Sequence, residues 1–141
     1  MNNKIDYGRS IGAVVGGYLV MSGLAAIATF LVSKSLSPSA STGQLQTVPT
    51  SYLVIKLLIN AGTALIGGYV AAVIAGVYRF AHALILAGVI LLLGAAVLVF
   101  APRLFPGVVM DLTWFTYLSA VMTPSSVAIG GWLRSRKDPQ S

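Results

Sequence analysis

Four stretches of about 20 mostly apolar residues, none with an acidic side chain in its interior, constrain this chain more than any other feature. They run over residues 11–32, 52–77, 80–101 and 112–133. In hydrocarbon every backbone N–H and C=O must be bonded within the protein, so such stretches form helices. The charges punctuate them. Lys34 follows the first, Arg79 separates the second from the third, and Arg103 separates the third from the fourth. Lys56 lies about one turn inside the second, where its stem can carry the ammonium back to the interface. Composition agrees: 57% hydrophobic against 9% charged cannot clothe a soluble globule, and is equally unlike a disordered chain. The expected fold is all-α, one integral membrane four-helix bundle spanning residues 1–141.

Orientation follows from the distribution of Lys and Arg in short loops. Lys4, Arg9, Arg79, Arg134, Arg136 and Lys137 fall on one side, and Lys34, Lys56 and Arg103 on the other. The expected topology is therefore N-in/C-in. Arg79, Arg134, Arg136 and Lys137 are the candidate headgroup contacts. The first stretch has a basic start like a signal peptide, but its apolar run is longer than a signal peptide needs, so it reads as an anchor. The net charge of +6 is membrane electrostatics. No basic, aromatic-interleaved patch outside the spans suits nucleic acid. Residues 34–51, rich in Ser and Thr with Pro38 and Pro49, read as an external loop: a plain linker, or a segment that orders on a partner. The tight turn at Tyr78-Arg79-Phe80 makes the second and third helices antiparallel neighbours. Pro102, Pro106 and Gly107 are expected to stop the third helix.

Helices in lipid pair through close packing at small residues. Asn60, Ala64, Gly68, Ala72 and Gly76 recur every four residues and lie on one face of the second span. Gly12 and Gly16, with Gly17 beside them, offer a similar face on the first. These eight are the expected helix-packing residues; a glycine-lined substrate groove is the competing reading. Gly16-Gly17-Tyr18 and Gly67-Gly68-Tyr69 fall at matching depth, as a close crossing requires, and Gly130-Gly131-Trp132 closes the fourth span. Pro124 within that span removes one N–H and crowds the Ala120 carbonyl, so a kink is expected there. The neighbouring Ser119, Thr123, Ser125 and Ser126 either re-satisfy the backbone or line a polar cavity.

Residues able to carry chemistry are few. The acids are Asp6, Asp111 and Asp138. Two sit in the tails, and Asp111 opens the fourth span as a helix cap. The chain has no Glu, which small four-helix multidrug exporters require within the membrane, and no Cys. His82 is the lone histidine. It reads first as an interfacial side chain bonded to a carbonyl or headgroup, and second as a cofactor ligand of the haem type. No metal site, resident cofactor or catalytic set is expected.

Several segments carry a resemblance: Arg9-Ser10-Ile11-Gly12, Gly67-Gly68-Tyr69-Val70-Ala71-Ala72, Ala81-His82-Ala83-Leu84 and Gly130-Gly131-Trp132-Leu133-Arg134. With these the chain resembles small uncharacterised bacterial four-span membrane proteins, in which Gly-Gly-Tyr closes one side of the central hairpin and His-Ala-Leu opens the other. The single Arg79 departs from the several basic residues usual in that turn. The resemblance implies a bacterial cytoplasmic (inner) membrane and brings no activity. The expected function is a non-catalytic accessory or structural subunit, with the lipid bilayer and other membrane protein subunits as partners. A passive transporter or small-molecule-binding bundle is the alternative; it needs Asn60, Thr63 and the Thr123–Ser126 segment to converge on a cavity.

Overall fold

The computed structural model describes residues 7–36, 50–76, 78–104 and 114–136. They form four helices: α1 (Tyr7–Leu36), α2 (Thr50–Ala75), α3 (Arg79–Leu104) and α4 (Trp114–Ser135). The first three are long and apolar enough to cross a membrane. The protein is therefore a multi-pass integral membrane protein in contact with lipid. The fourth stretch, expected to be equally apolar, falls short of the other three. The reason is local: Thr116, Ser119, Thr123, Pro124, Ser125 and Ser126 dilute its hydrocarbon. Its two tryptophans, Trp114 and Trp132, still stand about 27 Å apart along the axis, close to the thickness of a bilayer's hydrocarbon.

Arg9 and Ser10 of α1 lie beside Ile74 of α2 and His82 of α3, and Gly131 of α4 lies beside Ala83. The start of α1, the α2–α3 turn and the end of α4 thus share one end of the bundle, the turn end. The opposite, loop end holds Lys56, Leu98 and Phe115. The helices alternate up and down, so α2 and α4 run parallel. Among the described residues α2 touches all three other helices, while α1 and α4 do not touch. The turn does make α2 and α3 antiparallel and adjacent. Their mutual contact is nevertheless smaller than the one each makes with α4, which fits into the angle between them.

Glycine decides these contacts. A Cβ on Gly17 would stand 2.7 Å from the Ala71 Cβ and 2.9 Å from the Gly67 carbonyl oxygen. A Cβ on Gly67 would meet Met21 Cβ at 2.7 Å and the Gly17 carbonyl at 2.9 Å. The α1–α2 seam is thus reciprocal. At the α2–α4 seam Gly68 lies against the Val127 backbone and Gly130 against the Leu65 carbonyl, and at the α3–α4 seam Gly131 lies against Ala83. Adjacent helical residues point about 100° apart. Each Gly-Gly pair of α2 and α4 therefore serves two neighbours at once.

Around these seams Ala64, Ala71, Leu86, Ala87 and Val127 form the buried core. This cluster fills the turn half; toward the loop end, among the described residues, only α2 keeps buried ones, Leu57 and Thr63. Burial ceases beyond Gly17 on α1 and Ala87 on α3, and begins only at Pro124 on α4. From Leu91 to Phe100 every residue of α3 is exposed. Helices α1, α3 and α4 are splayed apart at the loop end.

Candidate functional site

The splay leaves a cleft of about 890 Å³ between α1, α3 and α4. Helix α3 supplies one wall, Ile90, Leu91, Leu93, Gly94, Ala95, Val97 and Leu98, all hydrocarbon or glycine. Helix α1 contributes Tyr18, Met21, Ser22 and Ala25. Helix α4 contributes Phe115, Thr116, Ser119, Ala120, Thr123 and Pro124, and α2 only Lys56. The lining is mostly apolar with a few polar groups, and the cleft is open along α3, whose residues from Leu91 to Leu98 are exposed.

Lys56 is half-buried, and its Nζ lies 5.8 Å from the centre of the Phe115 ring. That distance is within reach of a cation–π attraction, which holds the ammonium without neutralising it. Phe115 is fixed in turn by Trp114, edge-to-face at 6.3 Å between ring centres. Ser119 Oγ donates to the Thr116 carbonyl at 3.1 Å. Helix α4 continues through Pro124, and Ser125 Oγ donates to the Val121 carbonyl at 2.7 Å. Pro124 has no N–H for the Ala120 carbonyl, and both residues line the cleft.

Of the groups required to converge on a cavity, Thr123 and Pro124 do so. Thr63 does not: it is buried in α2, its Oγ1 donating to the carbonyls of Ile59 (2.9 Å) and Asn60 (3.2 Å). Asn60 is half-buried outside the cleft lining, and Ser125 and Ser126 also lie outside it, so the polar convergence required of a transport or small-molecule cavity is not formed and the cleft is a different, mainly apolar space.

The expected packing residues divide. Gly17, Ala64, Gly68 and Ala72 are buried. Gly16 is half-buried, and a Cβ there would stand 2.8 Å from the movable Ile74 Cδ1. Gly12 needs correction: a Cβ on it would meet nothing within 4 Å, because Ala13 occupies the buried face. Gly76 needs correction too. It ends α2 with φ +70° and lies against the Arg9 guanidinium, so it is a left-handed helix cap and not a rung of the stripe. Pro102, expected to stop α3, lies in its last turn, since the helix runs on to Leu104.

At the turn end the basic residues hold protein. Arg9 Nε donates to the Ile74 carbonyl at 3.0 Å and Arg79 Nε to the Gly76 carbonyl at 2.9 Å. Two guanidinium groups thus bond carbonyls at the C-terminus of α2, where cations are favoured. Arg136 stacks on Trp132 at 4.1 Å, Arg134 is half-buried, and Lys137 lies outside the described residues, as do Asp6, Asp111 and Asp138.

His82 has both ring nitrogens engaged. Nδ1 is 3.0 Å from the Tyr78 carbonyl and Nε2 is 3.0 Å from Ser10 Oγ. A carbonyl only accepts, so Nδ1 carries the proton and a neutral His82 accepts from Ser10 at Nε2. The carbonyl bond is the interfacial one read first for His82, and the Ser10 bond ties α1 to α3.

No protein family, curated protein or solved structure matches the chain. The likeness to small bacterial four-span proteins thus extends to a four-helix protein with three membrane-length apolar helices, and no family is identified.

Proposed function

We propose that this chain is a non-catalytic binding bundle of a bacterial cytoplasmic membrane, with all four helices crossing it. Its cleft receives an apolar guest from the surrounding bilayer. The observation that carries this reading is the cleft itself: about 890 Å³, walled by α3 hydrocarbon, beside a turn half closed by glycine seams. The N-in/C-in orientation is supported by the excess of Lys and Arg at the turn end. The test fills the cleft. Gly94 has open space at its Cβ position, so Gly94→Leu with Ser119→Leu places two isobutyl groups inside without touching a seam. Wild-type protein taken from its membrane in mild detergent should retain a stoichiometric lipid in native mass spectrometry. The filled variant should lose it. Equal lipid content in both refutes the proposal.

A second reading is an accessory subunit packed against a larger membrane complex. It is favoured by the exposure of ten successive α3 residues, Leu91 to Phe100. Extraction through a C-terminal tag would then bring stoichiometric protein partners in place of lipid.

A further inference from the structure

The cleft has the dimensions and the single charge of a site for one particular class of guest. Along α4 it reaches from Phe115 to Pro124, about 14 Å, and along α3 from Ile90 to Leu98, about 12 Å. One leaflet of hydrocarbon is about 15 Å deep, half of the roughly 30 Å core. The cleft therefore spans most of the leaflet on the loop side and stops near mid-membrane. An extended hydrocarbon chain of that length fits along it.

Charge selects further. Among the described residues Lys56 is the only ionised group in the lining, and none is a carboxylate. Its ammonium stands over Phe115 at the loop end, where the headgroups of a bilayer spanned by these helices would lie. A half-buried cation beside hydrocarbon is stabilised by an anion brought to it. We propose that an anionic lipid of the surrounding bilayer occupies the cleft, one acyl chain along α3 and α4 and its phosphate at the Lys56 ammonium. This rests on the reading of the cleft as a binding site. A zwitterionic lipid brings its own cation next to its phosphate and so competes less well.

The protein carries its own reporter. Trp114 begins α4 beside Phe115, and the other tryptophan, Trp132, lies at the turn end. With Trp132→Phe in place, fluorescence reports on Trp114 alone. The variant is reconstituted in phosphatidylcholine vesicles. Part of the lipid is replaced either by phosphatidylglycerol or by phosphatidylcholine, brominated on its acyl chains to quench tryptophan. Quenching should show phosphatidylglycerol preferred by about fivefold, the worth of one lysine near the surface. Lys56→Gln should bring the ratio close to one. Arg103→Gln, at the same end but outside the lining, should leave the preference in place. So should Asp111→Asn, which removes the only acid in the segments joining the helices at this end. Equal quenching by both lipids, or a preference lost as readily with Arg103→Gln as with Lys56→Gln, overturns the inference. The filled variant, Gly94→Leu with Ser119→Leu, separates the two levels. If filling lowers quenching by both lipids while Lys56→Gln changes nothing, the binding site stands and the charge selection falls. If filling changes nothing, the binding site falls with it. Circular dichroism and monodisperse elution show that each variant keeps its fold.

Discussion

Replacing Gly17 by alanine should destabilise the bundle, and the same change at Gly12, five residues earlier on α1, should not. The added methyl at position 17 would stand 2.7 Å from Ala71 Cβ, 2.9 Å from the Gly67 oxygen and 3.0 Å from Leu86 Cδ2. Carbon atoms rest at about 3.5–4.0 Å, so α1 and α2 must part by close to 1 Å. Ala71 and the Gly67 carbonyl belong to a helix held on its other side by Gly68 against Val127, so the strain has little room to relax. Inserting a methyl into such packing costs about 1–3 kcal/mol. At position 12 nothing lies within 4 Å. That change should be neutral to within about 0.5 kcal/mol, like other surface substitutions. Reversible unfolding in mixed micelles, titrated with a denaturing detergent, measures both. The separated helices remain helical in a micelle, so helix propensity largely cancels and packing remains. A loss at position 17 exceeding that at position 12 by about 1 kcal/mol or more is expected. Equal effects at the two positions would refute the seam as the source of stability.

Gly130→Ala should cost more than Gly17→Ala, because its new methyl would overlap the Leu65 carbonyl itself, closer than any contact at position 17; the same micelle titration compares them, and a smaller loss would refute this ordering. A double-mutant cycle between Ser10→Ala and His82→Phe should give a coupling of about 0.5–1.5 kcal/mol, the worth of one hydrogen bond between membrane helices. Additive effects would show that the bond contributes nothing. The chain has no cysteine, so single cysteines at Asn3, Ser41 and Gln140 can map topology. A membrane-impermeant thiol reagent should reach Ser41→Cys from one side, and both Asn3→Cys and Gln140→Cys only from the other; termini on opposite sides would mean that α4 does not cross.

The helices were legible because hydrocarbon length and charge punctuation are local properties. The Gly-Gly pairs were legible as well, since depth along a helix can be counted from its ends, and Gly17 and Gly67 do stand against each other. What was not legible is which helix each glycine faces. The short turn after Gly76 ties the ends of α2 and α3 but does not set their packing, and both give their larger contact to α4. Gly12 illustrates the limit: its spacing from Gly16 is right, yet a rotation of α1 puts Ala13 and Gly17 inward instead. The cleft was hidden for a different reason. Its α3 wall from Ile90 to Leu98 reads in sequence as ordinary lipid-facing hydrocarbon, and Lys56 as an ordinary snorkelling lysine. Only their juxtaposition across four helices forms the cleft.

The confinement of the core cluster to the turn half also bears on permeability. Where Gly17 meets Gly67 and Gly68 meets Val127, backbone lies on backbone, leaving little room for water or ions to file between α2 and its neighbours. The cleft lies on the other side of that barrier, reaching from Lys56 and Phe115 to Pro124 and Tyr18. On the proposed reading, a guest would enter and leave sideways from the leaflet it already occupies, while the glycine seams of the turn half keep the membrane sealed.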